Sequence, residues 1–445
     1  MRLTPAAEKS ERIAFVKHRF LLLAVASSVL ATASLHAQPS EDAENGGPNI
    51  VVTAKPEIGE YGFDAKGMDM AVQPGDDFYN YANGTWAKDT PIPADKSNYG
   101  MFTVLDDLSK SRTQGILDEA VKDPSSKIGN AYASYLDLKT VQAKGLSPIQ
   151  PWLNEIEALG DKSGYPELVA KSIRNGVGGP FFAYVGQDDK DPETYIMSFY
   201  QSGLGMPDRD YYLTSSPEMV KTRTAYLQHL TNMLKLAGQK DAAARASAVM
   251  ALETNIASVH WTKVRSRDAD KTYNKMSVAE LNAAAPGFDF DAMLKANGVN
   301  TGNVLVAQPS AFTGEAAIIA AAPLQVLKDQ LLIQSLDTFA EYLPENVAKE
   351  NFAFFGTALS GTPEREIRWK RAVTFVKNSL GEEVGKTYVA EYFPPKTKAT
   401  ADQMVKNIIA AMGRRIDNLE WMSEDRKSTR LNSSHTDISR MPSSA

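Results

Sequence analysis

The chain has 445 residues, 43% hydrophobic and 23% charged, with 17 Phe, 17 Tyr and 5 Trp, which excludes a disordered or fibrous protein. A net charge of −6 with no long basic run argues against nucleic acid as a partner. The absence of cysteine excludes disulfides, Cys-ligated zinc, iron–sulfur clusters and a thiol nucleophile.

Lys17, His18 and Arg19 precede the apolar run from Phe20 to Leu30, which passes into small residues and then Gln38, Pro39 and Ser40. The pattern predicts an export signal over 1–37, cut after Ala37, with Ala31-Thr32-Ala33 as an alternative site. The run is shorter than the ~20 apolar residues of a membrane span, so no membrane attachment is expected once the signal is removed. An exported, cysteine-free chain fits a bacterial periplasmic or secreted location. Residues 38–60, rich in Pro, Gly and acids, are expected to be a flexible linker.

From about Tyr99 to Trp421 apolar residues recur at three and four positions, as in Phe102, Leu105, Leu108, and this spacing predicts a mainly α protein. The longer helices are expected over 126–143, 217–237, 240–264, 323–342, 346–359, 365–391 and 399–422, several opened by caps or prolines such as Ser216-Pro217. One small β-hairpin is expected at about 181–200, where Phe181 to Val185 and Thr194 to Phe199 flank an acidic turn. No repeat of fixed period is present.

The helical pattern stops after Trp421, and residues 425–445 are Ser-rich with no aromatic. Asp425 to His435 is the translation of a string resembling a short-read sequencing adapter, so 425–445 is expected to be a non-native tail. Residues 1–37 carry five basic and two acidic side chains and 425–445 four and two, leaving the remainder near −11.

The sequence contains no His-Glu-x-x-His zinc motif, and His229 and His260 lie 31 residues apart without an acidic partner at ligand spacing. Both are expected to be core or surface histidines, so the chain itself is expected to bind no metal and to hold no catalytic residue. Gly381 to Thr387 imitates a phosphate loop but is one residue short between its glycines and lies in a helical pattern. Gly176-Val177-Gly178-Gly179-Pro180 reads as a turn before a strand. The acid pairs Asp106-Asp107, Asp188-Asp189 and Glu382-Glu383 read as solvated, not catalytic.

Five ordered blocks carry a resemblance. They are Asp77-Phe78-Tyr79-Asn80-Tyr81-Ala82-Asn83-Gly84-Thr85-Trp86 with Pro91-Ile92-Pro93 and Tyr99-Gly100; Gln201 to Leu213; Arg267-Asp268 with Tyr273-Asn274-Lys275-Met276; Leu359-Ser360-Gly361 with Arg368-Trp369-Lys370-Arg371; and Leu380-Gly381-Glu382 with Tyr392-Phe393-Pro394-Pro395. Over about 61–424 the chain resembles the N-terminal region of the neprilysin-like zinc metallopeptidases. The bland reading of the first block makes Phe78, Tyr79, Tyr81 and Trp86 core aromatics and Asn83-Gly84 a chain reversal.

The resemblance implies a large multi-helix lobe that covers a separate zinc lobe and encloses peptide substrates. The zinc ligands, the catalytic Glu and the backbone-binding residues would lie in that missing C-terminal lobe. It follows that zinc belongs to the full-length parent and that this chain is inactive alone. The resemblance also implies a substrate-facing position before Tyr99-Gly100, occupied here by Asn98 where dipeptide-releasing members carry Arg. Asn makes no bidentate charged pair with a carboxylate, so endopeptidase character is expected of the parent. The alternative reading is a non-catalytic periplasmic helical peptide-binding protein.

Overall fold

The computed structural model describes residues 64–427, so the expected signal over 1–37, the linker over 38–60 and all but the first three residues of the expected tail lie outside the described residues. The described residues divide into two compact units, 64–99 with Leu138–Arg365, and Gly100–Asp137 with 366–427. The fold is mainly α, as the periodicity predicts.

The first unit holds one small sheet. Strands β1 (Phe181–Asp188) and β2 (Asp191–Gln201) form the expected antiparallel hairpin. The sheet is larger than the sequence suggests: β3 (Lys275–Ser277) and β4 (Asn303–Val306) extend it in the order β1-β2-β4-β3, with β2 and β4 parallel. Three and four residues are too short to show alternation, so only tertiary pairing reveals these strands. The block Tyr273 to Met276 contributes to this joint, since Asn274 Nδ2 donates to the Val306 carbonyl at 3.0 Å and Val306 N–H to the Asn274 carbonyl at 2.9 Å.

The inner face of the sheet feeds a core in which the ring of Phe181 lies 4.7 Å from Phe312 and 5.1 Å from Phe288, and Phe199 sits edge-on to Phe290 at 5.8 Å. Each such buried ring contributes about 2–3 kcal/mol of transfer free energy. A second core gathers Tyr212, Tyr226, Leu230 and Met233 with Leu332, Ile333 and Leu336 from the helices Pro217–Leu236 and Leu324–Phe339.

Several expected helices are shorter or broken. The stretch 126–143 splits into Lys127–Leu136 and Leu138–Lys144 at Asp137, whose ψ of 71° leaves the helical region. The helix begun near 240 is Ala242–Val259 and ends where His260 turns extended. The stretch 346–359 begins as Glu345–Asn351 and continues as a π-helical segment, Phe352–Leu359.

The first motif block departs from its bland reading. Phe78–Asp89 is one helix, capped by Asp77, which accepts from Asn80 N–H at 3.0 Å, so Asn83-Gly84 is a helical turn and not a chain reversal. Phe78 and Tyr79 are each 68% exposed, while Tyr81 and Trp86 are half-buried. Trp86 reaches beyond the helix, stacking on Tyr99 at 6.2 Å.

The second unit packs Met101–Ala120 and Lys127–Leu136 against Arg368–Tyr392 through Leu117, Tyr132, Tyr135, Val373 and Val376. Gly129 lets two helices close, since a Cβ there would lie 2.3 Å from the Ala120 carbonyl oxygen. The basic block fastens this packing. Lys370 pairs with Asp107 at 2.8 Å, Arg371 donates to the Glu366 carbonyl at 2.8 Å and Arg368 donates to the Tyr135 carbonyl. Gly381 and Gly385 lie within Arg368–Tyr392, just after a kink at Leu380 (φ −135°, ψ 33°), so a helix and not a strand precedes them.

The helix Pro395–Asp417 starts at Pro395, whose ring suits a first turn, and leaves Met404, Val405, Ile408 and Met412 exposed. Among the described residues no single helix is long and apolar enough to cross a membrane.

Candidate functional site

The Gln201–Leu213 block is where sequence resemblance and buried chemistry coincide. At its start the Gln201 side chain locks onto the Trp261 backbone in both directions, accepting from its N–H at 2.7 Å and donating to its carbonyl at 3.0 Å. Gly203 follows with φ of +87°, and a Cβ there would lie 2.9 Å from Glu315 Oε1 and 3.1 Å from Pro180 Cα. At Gly205 a Cβ would fall 1.8 Å from the Tyr226 hydroxyl oxygen. These two glycines are required by close approach. The end of the loop is pinned by the Asp208–Lys263 pair at 2.5 Å and by Arg209, which donates to the Ala257 carbonyl at 3.2 Å.

Beneath the loop lies Glu253, fully buried on Ala242–Val259. Its Oε2 accepts from Tyr212 at 2.6 Å and Tyr226 at 2.9 Å, and its Oε1 from Gln330 at 3.1 Å. Gln330 also donates to the Gly203 carbonyl at 2.8 Å, and Met206 N–H donates to the Tyr212 hydroxyl at 3.0 Å, so one carboxyl organises both ends of the loop. Burial pushes the Glu253 carboxyl above its usual range even against these donors. Sequence reasoning missed Glu253. The signal was present, because it shares the apolar stripe of Val249, Ile256 and Ala257.

The two histidines are buried and committed to distant carboxylates. His229 sits between Asp337 (Nε2, 3.1 Å) and Glu350 (Nδ1, 3.3 Å). Burial opposes its charge, but the two acids outweigh that cost and raise it to about 9. His260 faces Glu315 at 3.3 Å; burial and Arg209 push it down to about 4, and burial pushes the Glu315 carboxyl well above its usual range. The protonated His229 imidazole offers no lone pair, and no group of three or more ligand-type side chains is placed to hold a metal ion among the described residues. The residues present therefore do not fit a catalytic zinc.

The acid pairs differ in their surroundings, and Glu382-Glu383 is exposed. Asp188 is 1% exposed, contrary to its solvated reading, and hydrogen bonds from Lys275, the Lys190 N–H and Tyr273 hold its carboxyl down to about 2. Asp106 pairs with Lys110 at 3.2 Å and Glu383 with Lys386 at 3.2 Å. Asn98 is exposed on the segment before Tyr99 and belongs neither to the Glu253 network nor to the cleft beside the loop. That cleft, about 170 Å³, is lined by Gly178, Gly179, Ser202, Gly203, Gly205 and Asp337 among others. It is smaller than the ~300 Å³ at which ligand pockets usually begin.

A model described as peptidase family M13 matches residues 74–432. An endothelin-converting enzyme homolog of Locusta migratoria is 28% identical over 392 residues, covering 80% of this chain and 53% of the relative. Endothelin-converting enzyme 1 of Bos taurus is 26% identical over 385 residues, covering 82% and 50%. The solved structure of the Mycobacterium tuberculosis zinc metalloprotease Zmp1 in complex with an inhibitor superposes with a TM-score of 0.75 at 30% identity, covering 85% of this chain and 58% of that one. The chain thus spans about half the length of the curated relatives it matches.

Proposed function

The chain belongs to peptidase family M13, and from that premise we propose that it is the N-terminal, substrate-covering lobe of an exported zinc metalloendopeptidase acting on peptides in the periplasm or outside the cell. The observation that carries the reading is the family match over 74–432 in a sequence without His-Glu-x-x-His. Zinc and the groups that polarise the scissile carbonyl belong to a further lobe. This lobe supplies a rigid cover built on the Glu253-anchored loop. The exposed apolar stripe Met404, Val405, Ile408 and Met412 supports the reading, because such a stripe favours a covering partner.

The purified 445-residue chain is expected to contain substoichiometric zinc after dialysis against the metal and to leave an internally quenched peptide uncut. Tight one-to-one zinc with chelator-sensitive cleavage would refute this. A long genomic read across the codons for Ser423 to Ala445 separates the two readings of the chain. A frame that runs on to His-Glu-x-x-His supports the covering lobe. A genuine stop supports the non-catalytic peptide-binding protein, which the missing motif favours.

Asn98 is proposed to face substrate in the assembled enzyme. Replacing it by Arg is expected to shift kcat/KM toward substrates ending one or two residues beyond the cut by about tenfold, because a guanidinium forks onto a terminal carboxylate. Unchanged ratios for free-acid and amidated peptides would remove Asn98 from the site.

A further inference from the structure

Strand β1 ends the sheet, with β2 as its only sheet neighbour among the described residues. None of its residues from Phe181 to Asp188 makes a further backbone hydrogen bond to loops or caps among them. Eight residues of edge strand thus present alternate N–H and C=O groups outward. Native edges are usually short, charged or covered, and among the described residues this one is none of these along Phe182 to Val185.

The outward face beside the edge is aromatic. Phe182 pairs across the ladder with Tyr200, and Tyr184 with Ser198, so Phe182, Tyr184 and Tyr200 share one face. Tyr184 stacks on Tyr200 at 5.7 Å with planes 12° apart, and Phe182 lies 6.0 Å from Tyr184 and 6.4 Å from Tyr200. Phe182 is 55% and Tyr184 45% exposed. At the far end the hairpin tip carries Asp189, Asp191 and Glu193 against Lys190, so its field is negative.

We infer that β1 is a docking strand for an extended peptide that adds to the sheet antiparallel to β1. Its positive N-terminal end lies by the acidic tip and its alternate apolar side chains rest on Phe182, Tyr184 and Tyr200. The direction follows from charge: a strand antiparallel to β1 begins where β1 ends, at the tip. A second copy of this chain fits less well, because antiparallel β1 pairing would bring the uncharged Gly176–Pro180 segment to that end. The choice of a peptide as ligand rests on the peptidase reading above, and the inference goes beyond it by naming the surface of this chain that a peptide contacts.

The test is fluorescence anisotropy of the 445-residue chain with Arg-Thr-Val-Thr-Phe-Thr-Val, labelled with fluorescein at its C-terminus. Saturable binding is expected. Tyr184→Ala should weaken it about fivefold through loss of ring contact, with the far-UV circular dichroism unchanged because the side chain is half in solvent. Replacing the N-terminal Arg by Glu should weaken it further at low salt.

The sharpest readout is backbone methylation. N-methyl groups at odd positions of the peptide and at even positions should differ, one set abolishing binding and the other leaving it intact, because a strand shows alternate N–H groups to its neighbour. Equal behaviour of the two sets, wild-type affinity of Tyr184→Ala, competition by tri-N-acetylglucosamine, or a dimer in sedimentation that Tyr184→Ala dissolves would each overturn the inference. Because the readout is binding, it stands if the assembled protein hydrolyses nothing. A protein that hydrolyses peptides while the edge variants bind as wild type retains the function and loses this surface.

Discussion

Glu253→Ala is expected to lower unfolding stability by about 4 kcal/mol, the sum of a core cavity and three buried donors left without their acceptor. Tyr212 and Tyr226 lose Oε2 and Gln330 loses Oε1; the two tyrosines belong to the second core of the first unit and Gln330 is buried beside them. Glu253→Gln should cost less, since its amide oxygen still accepts from the tyrosines, while its NH2 group faces the Gln330 amide. Guanidinium unfolding followed by tryptophan fluorescence measures both. A loss below about 1 kcal/mol for the alanine variant would mean that the network is not what holds the Gln201–Leu213 loop.

The second large effect is a pH dependence at His229. Its folded value is about 9 against an ordinary value of 6.5, because Asp337 and Glu350 outweigh the burial that disfavours its charge. A group whose value rises on folding stabilises fully below its unfolded value and ceases to do so as pH climbs through its folded one. The contribution, about 3 kcal/mol, should therefore be present at pH 6 and fall away between roughly pH 6.5 and 9. His229→Gln should flatten that limb while lowering stability at pH 6. A wild-type curve no steeper than the Gln variant over this window would show that the imidazole is not held charged.

Some of this protein was legible before any coordinates. Amphipathic spacing disclosed the helices, because a helix buries one face and writes its period of 3.6 into the apolar residues. The β1–β2 hairpin was legible from its aromatic and β-branched runs on either side of an acidic turn. Phe78, Tyr79 and Trp86 suggested a core that the helix does not bury, since aromatic content alone does not say which face finds a partner.

Other features were decided only in three dimensions. The short strands β3 and β4 exist through their neighbours, one by antiparallel and one by parallel pairing, and carry too few residues to show a period. The partners of His229 lie 108 and 121 residues away, and those of Glu253 lie 27, 41 and 77 away, so no local spacing could connect them. The sequence by itself determined the helical class, the ordered family blocks and the lack of a zinc motif, because periodicity and motif spacing are local. Which buried acids became anchors, and which aromatic face was left open at β1, the tertiary structure decided. Burial, desolvation and hydrogen-bond partnership depend on which distant residues the fold brings within a few ångströms.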